Sequence, residues 1–340
     1  MKTTCAGAAL ALMLTVVPAS AQNVKITPLG SHPGELCASD RATIFEDPSG
    51  VRILYDAGQT VTGADDVRLG VIHVVLLSHA HGDHIGDQKL KAVGAGECAN
   101  PERLPAAPNS TTAEIAAAKN AALVMTGDMG TFVGRKVQNI GGKPVAMCPQ
   151  TAGVTSVPVA AACRSNTYLG GTFIAKTSNA ARGVEITIVF ASHANNAPLS
   201  LLSEAQRASL GADDIGIPLG SPTGYVVKFT NGLVAYLSGD TGIHAEMKTV
   251  VNEFHKANLA VLNLGPSAGT VMAWAYGMNE LVRPASVILT HANEAVTEGG
   301  KLRATSRAAA LIKQLKATPH LAISGRTMEF DGNGKCAAGC

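Results

Sequence analysis

Short apolar segments rich in Val, Ile and Leu recur along the chain, separated by stretches that hold Gly, Pro or polar residues. Runs of this length between turn-forming residues are typical of buried β-strands. They predict eight strands, at Val51–Tyr55, Val71–Leu77, Ala122–Met125, Val184–Phe190, Tyr225–Phe229, Leu233–Leu237, Leu259–Leu262 and Val287–Thr290. The Asn231-Gly232 pair between the fifth and sixth runs predicts a hairpin turn.

Helical patterns lie between some of these runs, at Thr112–Asn120 behind a Ser/Thr cap, at Ile243–Ala257 and at Leu302–Leu315. Residues 88–182 differ from the rest, because they hold many Gly, Pro, Ala and Thr residues and three of the cysteines. This composition predicts a loop-rich insertion. Two interpretations of it stay open: one wall of an active site, or a decoration stabilised by disulfides.

The first 21 residues have the features of a secretory signal peptide. An apolar stretch, Ala8–Val17, precedes a small-x-small cleavage pattern at residues 19–21. The stretch is too short to serve as a membrane-spanning helix. We therefore expect cleavage near Ala21-Gln22, a periplasmic or secreted location, and a single domain over residues 22–340.

Composition narrows the class of protein and of partner. A chain of 340 residues with 46% hydrophobic and 15% charged residues is typical of a compact globular protein. Its net charge of +2 gives no reason to expect nucleic acid or an anionic membrane as partner. A small-molecule substrate is therefore expected, and the oligomeric state is open.

An even number of cysteines remains after removal of the leader: Cys37, Cys98, Cys148, Cys163, Cys336 and Cys340. In an oxidising compartment such a set favours disulfides, and six cysteines allow 15 pairings. The paired C-x-x-C spacing of a zinc ribbon does not occur among them. Closeness in sequence favours Cys148–Cys163 and Cys336–Cys340 as bridges.

Five residues with metal-binding side chains stand just after the end of an apolar run: Asp56, His79, His193, Asp240 and His291. If these strands lie in shared sheets, their ends meet at one edge, where functional loops collect. Histidines scattered by chance would not follow strand ends in this way. The pattern predicts one site built from distant parts of the chain.

The second of these runs leads into the segment HAHGDH, in which His79 and His81 are followed by Asp83 and His84. Imidazole and carboxylate ligands suit zinc, and also manganese, iron or nickel. The His-x-His pair can bind one ion, and the Asp-His pair can turn towards a second. A carboxylate such as Asp240 can bridge two ions. The sequence thus predicts two divalent metal ions, with zinc as the first choice.

The segment HAHGDH resembles the His-x-His-x-Asp-His signature of the metallo-β-lactamase superfamily. The supporting residues follow the order of that superfamily: a strand-end Asp, the signature, a lone His, a Gly-Asp pair and a final His. Residues 221–242, SPTGYVVKFTNGLVAYLSGDTG, are similar to a stretch of the ascorbate-phosphate lactonase-like hydrolases. The superfamily resemblance covers most of the chain after the leader, whereas residues 88–182 have no recognisable counterpart.

This resemblance implies an α/β fold, a four-layer αββα sandwich with the metal site at one edge of its two sheets. The ligand sets it implies are His79, His81 and His193 for the first metal and Asp83, His84 and His291 for the second. Asp240 and a hydroxide would bridge the ions, and Asp56 would orient the signature loop. His73 stands where relatives often carry an Asp, and we expect a structural role for it.

Further candidates flank the predicted ligands. Asn195 and Asn196 are candidates to polarise a carbonyl or phosphoryl oxygen, with Asn196 as the catalytic one, although a loop turn is an equal alternative. Trp274 and Tyr276 are candidates to line an apolar pocket, although aromatic residues at this spacing more often serve in packing. His244 is a candidate substrate contact or simply a residue on a solvated helix.

The function predicted from these residues is hydrolysis by a metal-bound hydroxide, with Asp83 and Asp240 among the catalytic groups. The favoured electrophile is a lactone or a phosphoester-like centre in a small molecule. β-Lactam hydrolysis is an alternative, although resemblance indicates that the β-lactamase branch generally lacks the carboxylate at Asp240. Hydrolytic dehalogenation of an activated aromatic, with Trp274 stacking on the ring, is another.

Two further hypotheses come from other functional classes, metal storage and redox chemistry. Metal storage without turnover is disfavoured by the complete ligand set. Redox use of iron is disfavoured because the sequence carries no Gly-rich dinucleotide fingerprint. Lys176, Arg182 and Lys301 are either contacts for an anionic substrate or plain surface charge.

Overall fold

The computed structural model describes residues 22–211, 216–265 and 269–340, so the predicted leader lies outside the described residues. Two sheets, each of eight strands, face each other. Helices cover the outer face of each sheet, which gives the four layers of an αββα sandwich. The predicted fold class is confirmed.

The first sheet is built mainly from the N-terminal part of the chain. Its inner strands run parallel, and its N-terminal hairpin and C-terminal strands add antiparallel pairs. In spatial order the strands are Cys163–Arg164, Ala122–Val124, Val74–Leu76, Arg52–Tyr55, Ala42–Glu46, Val24–Leu29, Met328–Phe330 and Cys336–Ala338.

The second sheet has a parallel pair at one edge, antiparallel pairs in the middle and parallel pairs towards the other edge. In spatial order its strands are Val154–Val157, Thr172–Thr177, Val184–Phe190, Thr223–Lys228, Val234–Leu237, Leu259–Asn263, Ser286–Thr290 and Thr318–Leu321. The antiparallel pair joined by the Asn231-Gly232 turn is the predicted hairpin, and Gly232 has the positive φ of 99° that such a turn requires.

Helices and short hairpins complete the description. The α-helices are Gly82–Ile85, Thr111–Ala118, Gly127–Gly141, Glu204–Gly211, Val271–Tyr276 and Arg307–Ile312, with a 3₁₀ turn at Leu199–Leu201 and π-helical turns at Met247–Phe254 and Gly277–Val282. Two-stranded hairpins pair Gln88–Leu90 with Arg103–Pro105, Gly96–Glu97 with Asn100–Pro101, and Thr297–Glu298 with Lys301–Leu302. Within the described ranges, no helix has both the length and the apolar character needed to cross a membrane.

Both faces of the inner strands are buried, which explains why they appear in the sequence as continuous apolar runs. In the strand Arg52–Tyr55, the side chains of Ile53 and Tyr55 join the core that includes the space between the sheets, whereas Leu54 joins the core beneath the outer helices. The strand Val74–Leu76 divides its side chains in the same way. Alternation by two residues therefore supplies both cores from one strand.

Parallel pairing decides where the strand-end residues lie. In the first sheet, the strands ending at Tyr55, Leu76 and Val124 are parallel neighbours, so their carboxyl ends share one edge. In the second sheet, the strands ending at Leu237 and Thr290 both run parallel to Leu259–Asn263. The loops after these strands carry the candidate site residues.

The predicted loop-rich insertion at residues 88–182 needs a correction. This segment contains the helices Thr111–Ala118 and Gly127–Gly141, which cover the first sheet, and it contributes strands to both sheets. The glycines at the start, middle and end of Gly127–Gly141 weaken its helical signature, because glycine is a poor helix former. Tertiary packing of Met129 and Val133 against the first sheet compensates for this weakness.

Two predicted helices have different bounds in the structure. The segment predicted as Ile243–Ala257 is π-helical from Met247 to Phe254. The segment predicted as Leu302–Leu315 opens with a short strand, and its helix begins at Arg307 because the Ser306 hydroxyl accepts a hydrogen bond from Ala309 N–H. The N-terminal hairpin of Val24–Leu29 and Ala42–Glu46 was not predicted.

The cysteines after residue 21 form three disulfides, Cys37–Cys98, Cys148–Cys163 and Cys336–Cys340. The two pairings predicted from closeness in sequence are confirmed. The third bridge ties the loop before Ala42–Glu46 to the hairpin at residues 96–101, a contact between distant segments that spacing does not reveal.

Candidate metal centre

The signature segment leaves the strand Val74–Leu76 as a tight loop and then forms the helical turn Gly82–Ile85. His79 and His81 precede the turn, whereas Asp83 and His84 lie within it. Gly86 ends the turn with a φ of 77°, and a Cβ there would stand 1.8 Å from Thr111 Oγ1. Only glycine fits this position, so the reversal that compacts the ligand cluster depends on it.

Asp56 fixes the orientation of His84. Its carboxylate accepts hydrogen bonds from the Ser78 backbone N–H at 2.8 Å and from the Ser78 hydroxyl at 2.7 Å. His84 Nδ1 lies 2.8 Å from the same carboxylate, and both side chains are fully buried. Because carboxylate oxygens accept, Nδ1 carries a proton, and Nε2 is the nitrogen directed towards the cluster.

Ser78 orients His79 by the same logic. The Ser78 hydroxyl proton is used towards Asp56, so its oxygen accepts from His79 Nδ1 at 3.0 Å. His79 Nε2 is then a buried acceptor that has no hydrogen-bond partner among the described residues. A buried acceptor without a partner is costly, and a metal ion satisfies it.

His81 and His193 meet on the more open side of the cluster. His193 Nε2 lies 3.3 Å from His81 Nδ1, and both imidazoles are half-buried. His193 follows the strand Val184–Phe190 of the second sheet, whereas His81 belongs to the loop after the first sheet. This pair therefore joins the two halves of the fold.

Asp240 and His291 approach from the second sheet. Asp240 Oδ2 lies 3.1 Å from His291 Nε2 and 3.4 Å from His84 Nε2. Asn263 Nδ2 donates to Asp240 Oδ1 at 2.9 Å and so fixes the carboxylate plane. Tyr55 from the first sheet accepts a hydrogen bond from Gly239 N–H at 3.0 Å, which anchors the turn before Asp240 across the sheets.

Three overlapping groups of side chains have the spacing of metal ligands: His79, His81 and His193; His79, His84 and Asp240; and Asp83, His84 and His291. Within each group the ligand atoms lie within 4.8 Å of one another. The donors are nitrogen and carboxylate oxygen, which suit a divalent ion such as zinc. Together with the unpartnered His79 Nε2, this arrangement fits a metal centre.

The protonation states of four histidines suit metal binding. Burial lowers the pKa of His79 well below its ordinary value, and the neighbouring His84 lowers it further. Burial is also the largest cause of the lowered pKa values of His81, His193 and His291. Neutral imidazole is the form that binds metal, so these side chains are ready for a cation at neutral pH.

His84 and its carboxylate neighbours behave differently. Burial alone would lower the pKa of His84, but Asp240, Asp56 and Asp83 together raise it to about 10. Burial alone would raise the pKa of Asp240, but His291 and His84 hold it well below its usual range. Without metal, the proton on His84 thus balances part of the carboxylate charge.

Arg41 is part of the site although its sequence context gave no signal. Its side chain is 2% exposed and contacts the Asp83 carboxylate, and its Nη1 lies 3.1 Å from His291 Nε2. Burial would raise the pKa of Asp83, but the Arg41 charge is the leading cause of its lowering. Arg41 stands before a strand, whereas the sequence pattern singled out residues that follow strands.

The structure gives Asn195 a role other than substrate binding. Its Oδ1 accepts from Ala80 N–H at 2.8 Å, and its Nδ2 lies 3.1 Å from both Leu219 O and Gly220 O. The side chain is buried and engaged within the protein. Asn195 therefore positions the signature loop. Asn196 is exposed, and among the described residues its side chain has no hydrogen bond to the metal-ligand cluster.

The other substrate candidates lie in different surroundings. Trp274 is 4% exposed and packs in the core on the outer face of the second sheet, whereas Tyr276 is 51% exposed. The Trp274 environment supports the packing interpretation rather than a pocket wall. His244 packs edge-on against Phe190, and both its ring nitrogens are buried without a hydrogen-bond partner in the described part of the chain.

His73 serves a structural purpose, as expected. Its ring Nδ1 accepts a hydrogen bond from the backbone N–H of Arg52 at 3.0 Å. The backbone N–H of His73 donates to Arg52 O. Burial lowers the pKa of His73, which favours the neutral acceptor form. The imidazole thus extends the pairing between two parallel strands of the first sheet.

The chain is similar in sequence to several proteins described as metal-dependent hydrolases. A UPF0173 metal-dependent hydrolase of Polynucleobacter asymbioticus is 26% identical over 301 residues, which cover 84% of this chain and 82% of that protein. A UPF0173 metal-dependent hydrolase of a Polaromonas species is 31% identical over 117 residues, 34% of this chain and 40% of its own length. No protein-family model matches the chain.

Among solved structures, a metallo hydrolase from the hyperthermophilic archaeon Ignicoccus hospitalis has a similar fold. Its TM-score is 0.54 at 20% sequence identity, and the match covers 91% of this chain and 99% of that protein. Both the layer order and the ligand cluster at the sheet edge are those expected from the signature motif. The chain therefore has the metallo-β-lactamase fold and is similar in sequence to metal-dependent hydrolases.

Proposed function

We propose that this protein is an exported hydrolase that uses two divalent metal ions, zinc in the first place, to cleave a lactone or phosphoester-like small molecule. Manganese, iron and nickel are the alternatives that the donor set allows. The leader-like sequence of residues 1–21 and the three disulfides support the proposal of export. The narrower resemblance to ascorbate-phosphate lactonase-like hydrolases stays a prediction.

The position of Asp240 carries the proposal of two ions. Its carboxylate belongs with His79 and His84 in one ligand group, and each of those histidines also belongs to a second group. A carboxylate between two half-sites is suited to join two cations. Two ions held by these half-sites would suit hydrolysis of an ester-like centre.

Divalent ions bound here would supply a water molecule of lowered pKa and would polarise the electrophile. The protein's own residues decide access. His81, His193 and Asp83 are only partly buried, so substrate must approach from their side. Asp83 is 36% exposed and contacts both the cluster and solvent. With two ions bound it would be chiefly a ligand, and with one ion it could help to move a proton.

The alternatives differ in what supports them. A β-lactam fits the same hydrolytic chemistry, but Asp240 separates this site from the branch that the resemblance associates with β-lactamases. Dehalogenation relied on Trp274 as a stacking wall, and Trp274 is buried in the core of the outer helical layer. Ester-like substrates are therefore the first to test.

The test is turnover by zinc-loaded protein, from Gln22 onwards, on a panel of lactones, phosphodiesters, β-lactams and halogenated aromatics. We expect activity on lactones or phosphodiesters and its loss in Asp240→Asn, which keeps the size of the side chain but removes its charge. The matched control is His255→Ala, because His255 packs against Phe254 outside the cluster. Metal content is measured for each variant.

Two results would contradict the proposal. Turnover that survives Asp240→Asn at full rate would remove the bridging carboxylate from the mechanism. Turnover confined to β-lactams or to halogenated aromatics would assign the site to another substrate class. Loss of activity in the His255→Ala control as well would point to instability of the fold, and the thermal unfolding temperature of each variant distinguishes that case.

A further inference from the structure

Arg41 contacts two of the three side chains in one metal half-site. One guanidinium nitrogen, Nη1, contacts the Asp83 carboxylate and lies 3.1 Å from His291 Nε2. Both residues belong to the group formed with His84. The guanidinium therefore lies against two side chains that a second metal ion would need.

The backbone before Arg41 is tightly held. Asp40 O accepts hydrogen bonds from His291 N–H at 3.0 Å and from Thr290 Oγ1 at 3.1 Å. The buried Asp40 carboxylate accepts from the backbone N–H groups of Ser31 and Cys37. These contacts join the backbone beside Arg41 to the loop that carries His291. They therefore hold the Arg41 side chain next to the ligand cluster.

The other half-site differs in its charged neighbours. Within the described ranges, the hydrogen bonds and ion pairs of His79, His81 and His193 involve no lysine or arginine. Arginine keeps its charge at all working pH values and offers only donors, so it competes with a divalent ion for carboxylate and imidazole acceptors. A second cation beside a buried guanidinium also meets charge repulsion that solvent screens poorly.

We propose that Arg41 makes the two half-sites unequal. The His79–His81–His193 half-site, with Asp240, binds the first metal tightly, and the Asp83–His84–His291 half-site binds a second metal only when the guanidinium moves away. Arg41 is thus a positioning residue that sets metal stoichiometry. The inference rests on the proposed metal centre.

The experiment measures zinc stoichiometry and affinity without reference to turnover. Metal-free protein is titrated with zinc against a chromophoric chelator, and bound zinc is counted by elemental analysis after dialysis. In the wild type we expect one tight equivalent and a second that is at least about tenfold weaker. In Arg41→Gln the second equivalent should tighten by about tenfold or more, while the first stays unchanged.

Arg103→Gln is the matched control, because Arg103 donates to Ser39 beside Arg41 but makes no hydrogen bond to the cluster among the described residues. It should leave both affinities at their wild-type values. Circular dichroism and the unfolding temperature establish that each variant is folded. If Arg41→Gln does not fold, a wild-type cobalt titration followed by visible absorption still tests the proposal through one or two binding phases.

The outcomes separate this inference from the proposed function. Two zinc ions bound with equal affinity by the wild type, or an unchanged second affinity in Arg41→Gln, would overturn the role of Arg41 and leave the metal centre standing. A single phase for two equivalents of cobalt would do the same. A wild type that binds no zinc would remove both proposals.

Discussion

Asp56 Oδ2 lies 2.8 Å from His84 Nδ1, with both side chains fully buried. This contact assigns the proton of His84 to Nδ1 and directs Nε2 towards Asp240 and His291. Replacing Asp56 with Asn keeps the shape but weakens this control over the tautomer. We expect Asp56→Asn to lower zinc affinity by about 10- to 100-fold, measured by competition with a chelator.

Asp47→Asn is the control for general destabilisation. Asp47 is also buried, and its carboxylate accepts hydrogen bonds from Ser49 and Thr230 rather than from any cluster residue. It should lower the unfolding temperature and leave zinc affinity unchanged. Equal zinc affinities in the Asp56→Asn variant and the wild type would show that the Asp56–His84 contact does not prepare the ligand.

Metal uptake at the His84 half-site should release a proton near neutral pH. The carboxylates around His84 raise its pKa to about 10 in the metal-free protein, although its burial opposes this. His84 is therefore protonated below that value and must lose its proton to bind metal, so affinity rises with pH until about 10. Calorimetric zinc titrations in buffers of different ionisation enthalpy count the released protons.

Metal binding at the His79–His81–His193 half-site should release few protons near neutral pH. Burial lowers the pKa of each of these imidazoles, so they are neutral at pH 7 and release few protons on binding. If the first equivalent of zinc released a proton and the second released none, the assignment of these protonation states would be wrong. His255→Ala should reproduce the wild-type proton count, because His255 lies outside the cluster.

Asn195→Ala should destabilise the signature loop rather than change substrate recognition. The substitution removes the acceptor for Ala80 N–H and leaves Leu219 O and Gly220 O without this donor. A buried polar group left unpaired costs about 1–3 kcal/mol, so the free energy of unfolding should fall by at least about that amount. Denaturant unfolding of the metal-free protein measures it.

Asn196→Ala provides the comparison. Asn196 is exposed, so its removal should change the free energy of unfolding by no more than about 0.5 kcal/mol. If Asn195→Ala instead kept full stability and raised only KM, the side chain would have to contact substrate. If Asn196→Ala abolished turnover at full metal content, the sequence-based prediction of a catalytic Asn196 would gain direct support.

The sequence predicted the parts of the fold that depend on local pattern. Strands buried on both faces appear as continuous apolar runs, and the predicted bounds of Val184–Phe190 agree with the structure. The strand predicted at Val71–Leu77 is shorter, Val74–Leu76. Residues placed after such runs, such as His193, were found because they follow the end of an apolar run. The glycine-containing helix Gly127–Gly141 was missed, because tertiary packing and not helix propensity holds it.

Contacts between distant segments were beyond the sequence pattern. Arg41 enters the cluster because Asp40 O bonds to His291 N–H, a contact between residues 250 or more positions apart in the chain. Asn195 looked like a residue beside a metal, but its side chain bonds to the backbone of the signature loop. The roles of Arg41 and Asn195 depend on the direction in which each side chain points. The periodicity of apolar residues carries no information about that direction.

Gly265→Ala should weaken metal binding by filling space beside the ligands. A Cβ at this position would stand 3.2 Å from Asp240 Oδ2 and 3.6 Å from His291 Nε2. The first distance is tighter than an ordinary contact, so the Asp240 carboxylate would have to shift. We expect zinc affinity to fall by about tenfold or more, with the larger loss at the half-site that includes His291.

The control is Gly242→Ala, in the loop just after Asp240. A Cβ there would meet Ser192 at 3.8 Å and farther, which is ordinary contact, so this variant should bind zinc like the wild type. Zinc titration and the unfolding temperature are compared for both variants. If Gly265→Ala bound two zinc ions with wild-type affinity, the space beside Asp240 and His291 would not be needed for the metal, and the ligand geometry assigned to this edge would have to be revised.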